Sequence, residues 1–192
     1  MPLLPPEAPG TLNHDSDDEL DDLEAYHVVS SAMAEADSFG DGASAVTVER
    51  DVVLGRNCVR LEGPHANLTF VAQCANYPWL VLHVKSLRKF MAVVVVLRDK
   101  TGAHRQITLT NHASIAKLDA PNGAECALPM QLGDGWQLLP VDLQGLCRAV
   151  WGTDLAVVEQ VRVRATCALS KVFLSERLYA DVELPEYLRV LG

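Results

Sequence analysis

Six histidines and five cysteines are the side chains of this 192-residue sequence with the widest chemical range, and their spacing leaves them little to do. His104 and His112, eight positions apart, fall on a predicted strand and a predicted loop, which is not the spacing of a metal pair. There is no H-E-x-x-H helix, no G-x-S-x-G elbow and no Walker loop. His83 stands inside an apolar run and reads as a core histidine. Cys58, Cys74, Cys126, Cys147 and Cys167 contain no C-x-x-C pair and have apolar neighbours, so they read as buried free thiols of a reducing compartment. Cys147, on a predicted helix, reads as a packing residue and not as an activated thiol. Asp134 and Asp154 occupy turn contexts, where aspartate accepts backbone hydrogen bonds. The expectation is a protein that is no enzyme, with no catalytic residues, no metal site and no cofactor.

Basic residues carry more. Residues 1–42 hold eleven Asp or Glu and no Lys or Arg, whereas the whole chain has 25 acidic and 16 basic residues, so the net −9 is a −11 tail on a +2 body. Within that body Lys85, Arg88 and Lys89 crowd one turn, and Arg98, Lys100 and Arg105 flank another. Arg162 and Arg164 share one face of a predicted strand, with Lys171 a candidate for its neighbour. Lys85, Arg88, Lys89, Arg162 and Arg164 are therefore the candidate surface for an acidic partner. Nucleic acid is disfavoured, because the excess is small and no stackable aromatics interleave with it. Trp79 and Trp136 read as core anchors and Trp151 as half exposed. A glycan-binding module, using Trp151 or Tyr77, is the alternative reading.

The elements that must position these groups are short. Residues 1–44 read as an acidic, mostly disordered tail and linker, with prolines early and seven acids in residues 15–24. Inside it Ser16-x-x-Glu19 is a capping-box pattern, and Leu20 and Leu23 at helical spacing are candidates for tail docking. Ser16 also suits an acid-directed kinase. From Ala45 to residue 192 the sequence alternates apolar and polar residues in short runs punctuated by turns. Trp79–Lys85 and Phe90–Arg98 are continuously apolar and predict central strands, joined directly by Ser86–Lys89. Lys100-Thr-Gly102 predicts a tight turn. Asp142 as cap, an apolar face of Leu143, Leu146, Cys147 and Val150, and Gly152 as the left-handed stop predict one helix. Gly145 weakens that helix by about 1 kcal/mol relative to alanine. The fold class is all-β, an antiparallel β-sandwich or jelly roll with one short helix. The first ten residues lack a basic n-region, and Phe90–Leu97, the longest wholly apolar run, is too short to span a bilayer. A soluble intracellular chain with no membrane partner is expected.

Two stretches are distinctive: Leu128-Pro-Met-Gln-Leu-Gly-Asp-Gly-Trp136, and Val172-Phe-Leu-Ser-Glu-Arg-Leu-Tyr179 followed by Glu183-Leu-Pro185. With Lys85-Ser-Leu-Arg-Lys-Phe90, Asp99-Lys100, Arg148-Ala149, Gly152-Thr153, Val161 and Cys167, they resemble the cilia- and flagella-associated protein 20 family in order and spacing, from Tyr77 to about Leu191. Residues 45–76 fit more loosely. The resemblance implies a jelly roll similar to a carbohydrate-binding module, used for structure and not for sugar. It implies a place in the cytoskeleton of the cilium or flagellum, on the axoneme at or near the inner junction of doublet microtubules. There the family bridges tubulin protofilaments beside a relative of the parkin co-regulated protein. Two departures, the acidic residues 1–44 and a loop Ala116–Ala127 with Lys117 as its one basic residue, imply a paralogue placed differently in the axoneme.

Overall fold

The structure, a computed structural model, describes residues 26–28, 32–35, 45–118 and 123–189. Thirteen strands and one α-helix follow one another along these residues. They are β1 (Tyr26–Val28), β2 (Ala32–Glu35), β3 (Ala45–Arg50), β4 (Asn57–Glu62), β5 (Asn67–Ala75), β6 (Trp79–Ser86) and β7 (Ala92–Asp99). Then come β8 (His104–Thr110), β9 (Lys117–Leu118), β10 (Glu125–Pro129), β11 (Trp136–Asp142), α1 (Leu143–Trp151), β12 (Leu155–Arg164) and β13 (Cys167–Ser175).

The strands form two sheets. Sheet A runs β11-β6-β13-β4-β3, with β1 pairing the far half of β13; sheet B runs β2-β5-β12-β7-β8-β10-β9. All pairs are antiparallel except β10 with β8. The period-2 pattern explains the layering. Leu80, Leu82 and Val84 of β6 face Val93, Val95 and Leu97 of β7 across the core, joined by Leu68 and Phe70 of β5 and Val161 and Val163 of β12. The protein is thus an all-β sandwich with one short helix, as the alternation predicts. The two apolar runs are central strands, but of opposite sheets: the Ser86–Lys89 link carries the chain from sheet A to sheet B and forms no hairpin. The tight turn after β7 is held by Asp99, whose carboxylate accepts from the amides of Thr101 (2.9 Å) and Ala103 (3.1 Å).

Two expectations are corrected. A boundary at Ala45 falls inside the fold, because β1 pairs Tyr26–Val28 with Ser175–Phe173 and β2 pairs Ala32–Glu35 with Phe70–Asn67. These runs are too short and too acid-flanked for periodicity to reveal. Ser16, Leu20 and Leu23 lie outside the described residues. Nor are Trp79 and Trp136 core anchors: both are half-buried, and Trp136 lies on the outer face of sheet A against His83, ring centroids 4.8 Å apart.

That outer face is partly sealed. After a 3-10 turn at Asp181–Glu183, Leu184 and Leu188 pack on Val81 and Phe173, with Leu138 and Tyr179 beside them. Arg189 pins the segment by donating to the carbonyls of Leu184 (2.8 Å) and Val182 (3.2 Å).

Candidate partner-binding surface

The five predicted cations do not behave alike. Lys85, on the outer face of sheet A, gives its ammonium to Asp51 Oδ2 at 3.0 Å and lies 5.9 Å from the Trp136 ring centroid. Asp51 in turn accepts from the amides of Val53 (2.8 Å) and Leu54 (3.1 Å). Burial would raise the Asp51 pKa, but the Lys85 bond, these amides and the nearby Trp136 indole outweigh it and hold it at about 2. Lys85 is therefore a structural cation. Arg88, in the left-handed region at φ 57°, forms a two-pronged bond to Asp134, Nε to Oδ1 at 3.0 Å and Nη2 to Oδ2 at 2.6 Å. Its charge lowers the Asp134 pKa, but both side chains are exposed and the pair adds little stability.

Lys89, Arg162 and Arg164 form no ion pair with a carboxylate of residues 45–118 or 123–189. Lys89 is exposed; Arg162 donates to Thr69 Oγ1 and Gln160 Oε1, both at 3.3 Å. Arg164 is exposed at the end of β12. Because Ser86 pairs with Cys167 and Ala92 with Arg164, the link bearing Arg88 and Lys89 shares one end of the sandwich with Arg164. Lys171 does not join them: it lies on β13 of sheet A, opposite His83, whereas the neighbours of β12 are β5 and β7.

Arg162 and Arg164 belong to the outer face of sheet B. Cross-strand register places Thr69, Arg162, Val94, Thr108 and Ala127 in one row across five strands. Asn67, Arg164, Ala92, Thr110 and Pro129 form the row beside it, and Val71, Gln160, Val96, Gln106 and Glu125 the row on the other side. These rows mix long polar side chains with small ones, and they hold no aromatic ring on which a sugar or base would stack. Trp151 is occupied elsewhere, donating its indole N–H to the Gly123 carbonyl beneath the Arg105 guanidinium.

The remaining chemistry is quiet. All five cysteines are buried and free, and burial raises every thiol pKa, to about 11 at Cys126 and Cys147 and about 12 at Cys167. His104 pairs with Glu159 Oε2 at 3.1 Å, whereas His112 packs edge-on against Phe90, so the two do not meet. No group of three or more His, Cys, Asp or Glu among the described residues is placed to hold a metal ion. No described helix is long and apolar enough to cross a membrane. A groove of about 440 Å³ opens between β10, β11 and α1, and Asp142 is its one ionisable lining residue. Periodicity gave no sign of it, because its walls come from elements distant in sequence.

The model of the CFA20 domain matches residues 26–191, from β1 to past the last described residue. The chain belongs to the CFA20 domain family. Relatives of this CFA20 domain include cilia- and flagella-associated protein 20 of Chlamydomonas reinhardtii, 31% identical over 108 residues, 56% of this chain and 55% of the relative. The protein of that name in Paramecium tetraurelia is 29% identical over the same length and shares. The chain thus spans about half the length of the curated relatives it matches. Among solved structures, a family 30 carbohydrate-binding module superposes with a TM-score of 0.44 at 13% identity, over 80% of this chain and 85% of that one. A family 11 module from Clostridium thermocellum does so with a TM-score of 0.42 at 7% identity, over 78% and 91%. Both fits are too loose to say anything of what the CFA20 domain here binds.

Proposed function

We propose that this protein is a non-enzymatic structural component of the ciliary or flagellar axoneme, docking on the microtubule lattice through the outer face of sheet B. Membership of the CFA20 domain family, with relatives named for cilia and flagella, supports the cellular setting. The observation that carries the docking face is the outer face of sheet B, on which Arg162 and Arg164 stand without an ion-paired carboxylate from residues 45–118 or 123–189. Tubulin surfaces are acidic, so such a face is complementary in charge. A specific interface buries about 1,200–2,000 Å², and repetition along a lattice adds strength that one contact lacks. A position at or near the doublet inner junction, beside a relative of the parkin co-regulated protein, belongs to the same proposal.

Microtubule co-sedimentation and retention on salt-washed axonemes test it. Reversing both arginines (Arg162→Glu with Arg164→Glu) should weaken binding by about tenfold or more and flatten its salt dependence. Unchanged retention would remove this face from the account. Arg88→Glu serves as the comparison, since that guanidinium is already engaged by Asp134.

A further inference from the structure

The turn between β3 and β4 is built to hold two valines in water. Asp51 organises it: its side chain takes the amides of Val53 and Leu54, its carbonyl takes Gly55 N–H at 2.9 Å, and its own N–H reaches the Arg56 carbonyl at 3.0 Å. Gly55, at φ +65°, supplies the left-handed backbone that closes the turn. At the apex Val52 is 95% exposed and Val53 79%. Turn tips are ordinarily Gly, Asn, Asp or Ser, and a fixed pair of β-branched apolar side chains there gains nothing within the fold.

A receptor of matching character lies on the same molecule. The groove of about 440 Å³ is walled by Leu109, Leu128, Met130, Leu139 and Leu146, with Asp142 on its lining. Asp142 Oδ1 caps α1 through Gly145 N–H, but its charge has no ion-pair partner among the described residues. Arg50, exposed immediately before the valine turn, likewise has no carboxylate partner among them. An apolar projection beside a cation thus complements an apolar recess beside an anion. The two do not meet within one chain: Asp51 fastens the turn to Lys85, opposite Trp136 at the start of β11, whereas Asp142 stands at the far end of that strand, six residues or roughly 20 Å on, and both valines are exposed.

We propose that the Val52–Val53 turn of one copy seats in the groove between β10, β11 and α1 of the next, with Arg50 facing Asp142, so that copies of this chain join head to tail. Such a contact uses two different patches, so a joined pair leaves a free turn on one copy and a free groove on the other, open to further copies. Two valines make a small contact, weak for a single pair and strengthened by repetition. The inference stands apart from the axonemal reading, since purified protein without microtubules tests it.

The five native cysteines are buried, so Val48→Cys, on β3 beside the turn, offers one reactive thiol for a nitroxide label. Labelled full-length chain is mixed with methyl-labelled, nitroxide-free chain at about 1 mM, enough to populate even a contact with a Kd near 1 mM. Line broadening confined to the methyls of Leu109, Leu128, Met130, Leu139 and Leu146 is the expected result. The double change Val52→Asp with Val53→Asp, at exposed positions that cost the core nothing, should abolish it. Arg50→Glu should weaken association by roughly tenfold, and Asp142→Asn, which keeps the helix cap, should weaken it as well. No broadening, broadening elsewhere on the surface, or persistence in the double variant would overturn the proposal. A strictly monomeric chain at this concentration would mean that the turn serves some other protein.

Discussion

On the outer face of sheet A a buried imidazole and a buried carboxylate answer acid in successive windows. His83 is fully buried against Trp136, and burial first, then the nearby Arg56 and Lys171 charges, lower its pKa from 6.5 to about 4. As pH falls below 6.5 the unfolded chain takes up this proton before the folded one does. The stability that neutral His83 contributes, roughly 3 kcal/mol, is therefore complete above pH 6.5 and is lost on the way down to about 4. Asp51 acts below that: its pKa falls from 3.8 to about 2, so roughly 2 kcal/mol, present above pH 3.8, is lost as pH falls to about 2. Urea midpoints measured against pH should show both slopes. His83→Gln should flatten the curve between pH 6.5 and 4, and Asp51→Asn should flatten only the lower part. The clustering of Lys85, Arg88 and Lys89 was legible in the sequence, but their engagement was not. Their carboxylates come from 34 residues away for Lys85 and 46 for Arg88, and no local pattern reports a partner at that distance.

Among the elements, α1 is the one the sequence describes almost completely, because its signals are local. Asp142 caps it through Gly145 N–H at 2.7 Å, and Gly152 at φ 66° ends it. The structure also explains Gly145. A Cβ there would lie 2.3 Å from Asp142 Oδ2 and 2.8 Å from its Cγ, so alanine would displace the cap. Gly145→Ala should consequently fail to deliver the ordinary gain of about 1 kcal/mol, whereas in an Asp142→Ala background, already weakened by about 1 kcal/mol, it should stabilise. A double-mutant cycle on thermal unfolding reads this coupling; additive effects would show that cap and glycine are independent. Strands were legible as alternation, and their neighbours were not. β6 and β7 follow one another yet lie in different sheets, and the parallel pairing of β10 on β8 depends on contacts no window of sequence contains.

At the scale of the whole molecule, the sandwich has a second, smaller apolar centre outside its sheets. Leu184 and Leu188, each 2% exposed, close the outer face of sheet A over Val81 and Phe173. Leu188→Ala should lower the unfolding free energy by about 2–5 kcal/mol, measured from the denaturant midpoint, as for any buried leucine whose site cannot collapse. A loss under about 1 kcal/mol would mean that the C-terminal segment rests on the sheet without holding it. The composition of that segment gave no warning, since Leu184 and Leu188, a lone Leu-x-x-x-Leu pair interrupted by Pro185, show no amphipathic run.

The leading strands complete the picture. β1 is hydrogen-bonded to β13 in one layer and β2 to β5 in the other, although only residues 29–31 separate them in the chain. Tension applied through the N-terminal end of this domain therefore meets two anchors in turn, β1 on one layer and then β2 on the other. Freeing the first clasp leaves the second in place, so the leading segment resists being peeled from the sandwich in one step.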